Sequence, residues 1–220
     1  MTAANGGEGS QVNLGSRQGF RGHIAGVGST SGTRVVVGRW QQTPMGAFAD
    51  AMVETAAGRR VLLAPRQDVA DFIEATYSFD EVRLEPFEAT VDGDRWTVRS
   101  PSLSLDLVVG DRSPLGRLLR TVPRPVAESP AWCALTDPVA RVLLRGVRTR
   151  GTAGGGRREW YAATDAHRIV SLSGAFDGDP LGGLADVDPP CRFGFSSTPK
   201  RPTVTAVLTT VLAADAPSHL

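Results

Sequence analysis

Glu81-Val-Arg-Leu-Glu-Pro-Phe-Glu-Ala-Thr-Val91, Arg95-Trp-Thr-Val98 and Leu103-Ser-Leu-Asp-Leu-Val-Val109 alternate apolar with polar residues over much of their length. Successive side chains of a strand point to opposite faces, so a period of two marks half-buried β-structure. Asp92-Gly-Asp94 and Ser100-Pro101 separate the three runs with turn residues. Three consecutive antiparallel strands are predicted.

Working back from this stretch, Asp68 is placed to cap a helix in which Val69, Phe72, Ile73 and Thr76-Tyr77 recur at helical spacing. Ahead of it, Arg59-Arg-Val-Leu-Leu-Ala64 reads as a strand joined through a turn at Ala57-Gly58 to a strand over Ala47–Glu54. Arg34-Val-Val-Val-Gly-Arg-Trp40 is dense in β-branched residues and reads as the first firm strand. The glycine-rich Gly26-Val-Gly-Ser-Thr-Ser-Gly32 before it reads as a turn. Its glycines could let backbone N–H groups approach an anion, but a dinucleotide fingerprint follows a strand and opens a helix, and a Walker loop needs a lysine. Residues 1–22 are rich in Gly, Ser, Asn and Gln and carry no hydrophobic period, so a disordered tail is expected there.

Working forward, Ser113-Pro114, Ser129-Pro130 and Asp137-Pro138 each set a capping side chain before a proline suited to a first helical position. Short helices across residues 114–144 follow, with Leu115, Leu118, Leu119, Trp132, Leu135, Val139, Val142 and Leu143 as apolar faces. These helices are expected to lid the sheet. Strands return at Glu159–Thr164, Arg168–Phe176 and Thr203–Val211, the first two flanking a turn at Asp165-Ala-His167. The expected fold is therefore mainly β (α+β): a curled antiparallel sheet or closed β-barrel with a few short lid helices. It occupies residues 23–213 as a single domain, and 214–220 form a C-terminal tail.

The chain has 220 residues and a net charge of +1, a balance that argues against nucleic acid as a partner. No apolar run approaches the roughly 20 residues of a membrane span, so integral membrane association is not expected and a cytoplasmic location is. Cys133 and Cys191 match no metal spacing and are expected to be reduced thiols. No cofactor and no metal site are expected. A homo-oligomer is left open.

The least ordinary segment is Arg145-Gly-Val-Arg-Thr-Arg-Gly-Thr-Ala-Gly-Gly-Gly-Arg-Arg158. Guanidinium groups pair in two-pronged fashion with carboxylate or phosphate, which makes Arg148, Arg150, Arg157 and Arg158 candidate ligand-binding residues. The alternative is a solvated loop. Just beyond it, Glu159, Asp165 and His167 form a candidate acid/base set if their side chains converge, although Asp165 also suits a turn. Trp40, Met52, Trp96, Trp160 and Tyr161 are the expected apolar lining of a pocket. His23 falls at the end of the expected tail and His219 beside the C-terminus, so neither is expected to be placed for catalysis.

From Pro44-Met-Gly-Ala-Phe-Ala-Asp-Ala-Met-Val-Glu54 onward the chain resembles the acetoacetate decarboxylase-like superfamily. Gly46-Ala47-Phe48 stands where that family carries a Gly-Pro-Tyr-like turn leading into a long inner strand. The resemblance implies a curled antiparallel barrel around an apolar pocket for a small keto acid, with a lysine forming a Schiff base and an arginine or glutamates aiding it. The family's paired lysines have no counterpart: Lys200, in Ser197-Thr-Pro-Lys-Arg-Pro202, is the sole lysine. Arginine cannot lose its proton to serve as that amine. A pocket protein for a small organic acid or lipid-like metabolite, without Schiff-base decarboxylation, is the leading expectation. The alternatives are an interaction module using the Leu-rich helices 114–144, facing protein or a membrane surface, and a lysine-independent enzyme using Glu159, Asp165 and His167.

Overall fold

The computed structural model describes residues 17–123, 126, 150–152, 158–194 and 198–212. The chain runs β1 (Arg17–Ser29), β2 (Arg34–Gln42), β3 (Phe48–Glu54), β4 (Arg60–Ala64), α1 (Gln67–Glu74), β5 (Glu81–Leu84), β6 (Glu88–Asp92), β7 (Arg95–Arg99) and β8 (Leu103–Arg112). Then follow α2 (Pro114–Leu119), β9 (Arg150–Thr152), β10 (Arg158–Phe176), β11 (Asp179–Pro180), β12 (Leu184–Ala185) and β13 (Thr203–Leu212). All described strands belong to one sheet whose main path is β5-β4-β3-β2-β1-β13-β10-β8-β7-β6.

The two end strands of that path, β5 and β6, are joined in sequence by Glu85, Pro86 and Phe87 alone. Such a link spans at most roughly 14 Å, so the sheet has to curl until its ends nearly meet. Pro86, which has no N–H to give a ladder, breaks the expected single strand over 81–91 in two. Only β6, β7 and β8 form the antiparallel meander read from the sequence. β5 instead lies parallel to β4, with α1 as the crossover that a parallel pair requires.

Side chains bridge the open seam. Arg39 of β2 donates its Nε–H to the Ala89 carbonyl of β6 at 3.1 Å, and Arg83 of β5 holds the Asp177 carboxylate beyond β10 at 2.5 and 3.0 Å. The concave face carries one continuous core: Val35, Val37, Val53 and Leu63 from one half meet Trp96, Val98, Leu105 and Leu172 from the other. On the convex face Val69, Ala70 and Ile73 of α1 pack on Leu62 and Ala64. Burying Val69 and Ile73 contributes roughly 1.5–3 kcal/mol each. The curled, mainly antiparallel sheet with few short helices is the architecture expected from the sequence, and it is an open one.

Several local expectations are corrected. β1 starts at Arg17, so residues 17–22 are strand and not tail, and Gly26 and Gly28 lie inside β1 rather than in a turn. Asp68 does not cap α1: the helix is preceded by Arg66, and Asp68 sits in the first turn, paired with Arg66 at 3.0 Å. Its charge still suits the positive end of the helix dipole. Asp165-Ala-His167 is no turn, because it lies within the 19-residue β10. At α2 the expected cap holds, with the Ser113 hydroxyl accepting from Gly116 N–H at 3.0 Å and Pro114 in the first turn. The helix starts expected at Ser129 and Asp137 lie outside the described residues, as do residues 214–220.

Two carboxylates are buried on the convex side. Glu54, fully enclosed, pairs with Arg34 at 3.1 Å and Arg192 at 2.9 Å and accepts the Arg192 backbone N–H at 2.7 Å. Asp50, only 4% exposed, accepts the Trp40 indole N–H at 2.9 Å. Gly38 faces Asp50 across the β2–β3 ladder, and a Cβ there would come within 2.5 Å of both Asp50 Oδ1 and Trp40 Nε1. Glycine at 38 thus makes room for that bond.

Candidate functional site

The strand registers place Arg39 of β2 opposite His23 of β1, His23 opposite Ala206 of β13, and Ala206 opposite Asp165 of β10. These four residues form one row across four strands. One step along, Val204 of β13 faces His167 of β10. His23 and Asp165 are two strand spacings apart, about 10 Å of backbone separation. Ala206 between them carries only a methyl group.

The row lines an open cavity of about 450 Å³. Its other wall is the β6–β7 hairpin folded across the concave face, through Val91, Gly93, Asp94 and Trp96, and Val109 and Gly110 of β8 complete it. Trp96 is almost wholly buried and meets the His23 ring edge to face at 6.3 Å.

Irregularity in β10 sets the two candidate residues of this strand. The β10–β13 register shifts between Ala163 and Asp165, and the β10–β8 register shifts between His167 and Ile169. Bulges of this kind re-aim side chains, and here Asp165 and His167 both reach the cavity. Ala166 between them turns the other way, where its carbonyl accepts from Ser113.

Arg112 clasps Asp165 with Nε at 2.8 Å and Nη2 at 3.0 Å, and the Ala166 N–H donates to Asp165 Oδ1 at 2.8 Å. Burial works to raise the Asp165 pKa, but these bonds outweigh it and hold the carboxyl below its ordinary value. The same pairing raises Arg112. His167 Nδ1 lies 3.2 Å from the Gly110 carbonyl, and its Nε2 is 3.7 Å from Asp165 Oδ2. His23 Nδ1 lies 3.1 Å from the Gln41 amide nitrogen. Burial, and then the nearby Arg39 charge, depress the His23 pKa, so this imidazole is neutral at pH 7.

Of the residues expected to act, Asp165 and His167 are therefore brought together on the cavity. Glu159 lies earlier in β10, opposite Val211, and its side chain falls outside the described residues. The same holds for the side chains of Arg150, Arg158, Trp160 and Tyr161, while Arg148 and Arg157 lie wholly outside them. Trp40 and Met52 sit on the convex face, Trp40 bonded to Asp50 and Met52 packed with Leu62 and Val36, so neither lines this cavity. Trp96 does.

His23 and Arg39 were missed by sequence reasoning. Arg39 continues the alternation of Val35 and Val37, which was the available signal; His23 was hidden by its glycine-rich surroundings. The expected interaction helices reduce, among the described residues, to α2, where Leu118 is 63% exposed. Lys200 is half exposed and paired with Asp188 at 2.5 Å, away from the cavity-lining residues. No group of His, Cys, Asp and Glu among the described residues could hold a metal ion. No described helix is long and apolar enough to cross a membrane.

A concave, mainly antiparallel sheet with one polar row at its open side defines the architectural class. No family model matches the chain, and no curated protein matches it. Among solved structures it resembles an acetoacetate decarboxylase from Legionella pneumophila subsp. pneumophila, at TM-score 0.38 and 9% identity over 96% of each chain. It also resembles a second acetoacetate decarboxylase structure at TM-score 0.41 and 9% identity, over 90% of this chain and 85% of that one.

Proposed function

We propose that the chain binds a small organic acid in the cavity, with Arg39 as the partner of its carboxylate. The observation that carries this reading is a single guanidinium group, that of Arg39, set beside a hydrocarbon wall. Arg39 spends its Nε–H on Ala89, and its terminal nitrogens have no protein acceptor among the described residues. Val91, Trp96, Val109 and Val204 offer apolar surface within the same volume. Pockets that orient small ligands combine such surface with a few placed polar groups. Asp165 does not neutralise Arg39, because it is committed to Arg112.

The ligand is not expected to form a Schiff base, since the sole lysine is held by Asp188 outside this row. Saturation-transfer NMR with small 2-oxo acids, the matching 2-hydroxy acids and the uncharged amides tests the reading. Acids should bind and amides should not. Arg39→Gln should weaken acid binding about tenfold to a hundredfold, as loss of a charged hydrogen-bond pair of about 1.5–3 kcal/mol implies. Equal binding of acid and amide, or unchanged affinity in Arg39→Gln, would overturn it.

A further inference from the structure

The two imidazoles of the cavity are held in opposite senses. His167 Nδ1 faces a carbonyl, that of Gly110, which can only accept, so Nδ1 carries the proton and Nε2 keeps its lone pair. His23 Nδ1 faces the Gln41 amide nitrogen, which can only donate, so Nδ1 is the acceptor and Nε2 carries the proton. One ring therefore offers a base and the other a hydrogen-bond donor, on opposite sides of β13. No donor among the described residues is placed on His167 Nε2, and Asp165 Oδ2 at 3.7 Å is an acceptor, which cannot engage its lone pair. That carboxylate is near enough to stabilise the imidazolium formed when Nε2 takes a proton.

We infer that this cavity enolises a small oxo acid: His167 Nε2 removes a proton from the carbon next to the carbonyl, and His23 Nε2–H with Arg39 stabilises the resulting enolate. The step balances without a cofactor. The C–H bond breaks and an N–H bond forms on His167, while the electron pair moves onto the carbonyl oxygen. His23 donates a hydrogen bond to that oxygen and keeps its proton, as a neutral imidazole must. The imidazolium then returns a proton to carbon, and the net outcome is exchange or migration of hydrogen with no change in oxidation state. Charge develops on the oxygen as it develops on His167, and each has an opposite pole beside it, which lowers the barrier to separation. Asp165 acts only through His167 and is a positioning residue, kept ionised by Arg112.

This inference rests on the acid-binding reading, and the test separates the two. Full-length protein is mixed in D2O with 2-oxobutanoate, and with 2-oxoglutarate in parallel. Loss of the C3 proton signals is followed by NMR while binding is read by saturation transfer in the same tubes. Binding with exchange above the protein-free rate is the expected result. His167→Asn, whose amide can still donate to Gly110, should bind both acids and exchange about a hundredfold to ten-thousandfold more slowly. His23→Asn, whose carbonyl can still accept from Gln41, should slow exchange tenfold or more with binding kept. Binding without exchange, or exchange that survives His167→Asn, overturns the enolisation and leaves the binding reading standing. Absence of binding by either acid overturns both. Imidazole 15N shifts give a check independent of substrate: Nδ1–H is expected on His167 and Nε2–H on His23, and finding the same tautomer in both rings would sink the assignment.

Discussion

Replacing Asp50 by asparagine should change how stability depends on pH, in a direction and by an amount that its surroundings fix. Asp50 is enclosed on the convex face, and burial pushes its carboxyl up to about 7, with the Trp40 hydrogen bond working the other way. In the unfolded chain the same group titrates near 3.8. Between those values the folded protein holds a proton that the unfolded chain has released, so stability falls as pH rises through this window. At about 1.4 kcal/mol per unit, the whole interval costs about 4 kcal/mol, and the stretch from pH 5 to pH 8 about 3 kcal/mol. Asparagine keeps a carbonyl oxygen for the Trp40 indole and has no proton to lose. Urea unfolding followed by tryptophan fluorescence at pH 5, 6, 7 and 8 should show Asp50→Asn gaining about 3 kcal/mol on the native chain across that range. Taking the difference between the two proteins cancels the titration of their common groups, His23 included. A difference that stays flat from pH 5 to pH 8 would refute the account of Asp50 as a buried, protonated acid.

Glu54→Ala leaves Arg34 enclosed without its counter-charge and should cost about 3–5 kcal/mol in urea unfolding; a loss below 1 kcal/mol would mean that the pair is not buried in solution. Ala206→Leu puts an isobutyl group into the floor of the cavity, between His23 and Asp165, and should weaken acid binding at least tenfold while the chain stays folded by circular dichroism. Unaltered binding would place the ligand elsewhere.

How far the sequence could be read depended on how locally each feature is determined. β7 and β8 announce themselves because one face is buried and the other is not. β2, β3 and β4, buried on both faces, show as short apolar runs bounded by turn residues, and Ser113-Pro114 fixes the start of α2 through a bond within its own first turn. β1 was read as tail and turn because three of its convex-side residues, Gly22, Gly26 and Gly28, are glycines selected by distant chain. A Cβ on Gly26 would collide with Thr198, and one on Gly28 with the Asp186 carbonyl. Nothing near them in sequence shows that another segment crosses there, and His23 went unread with them. Asp165-Ala-His167 carries turn chemistry, yet pairing on both sides keeps β10 extended and turns the irregularity into bulges. Asp165 and His167, expected around a turn, instead share a face because they are two residues of one strand separated by a single position. That Arg39 would face them from three strands away is a property of register, which no local pattern encodes.

The place of β13 in the sheet has a consequence for the order of assembly. It lies between β1 and β10, so before it docks the main path exists as two pieces, β5-β4-β3-β2-β1 and β10-β8-β7-β6. Arg39 and His23 belong to the first piece, Asp165 and His167 to the second. Ala206 arrives with the strand that joins them. The cavity is thus not a property of either half: it comes into being with the last described strand of the chain, after a closure of long sequence separation of the kind that makes folding slow.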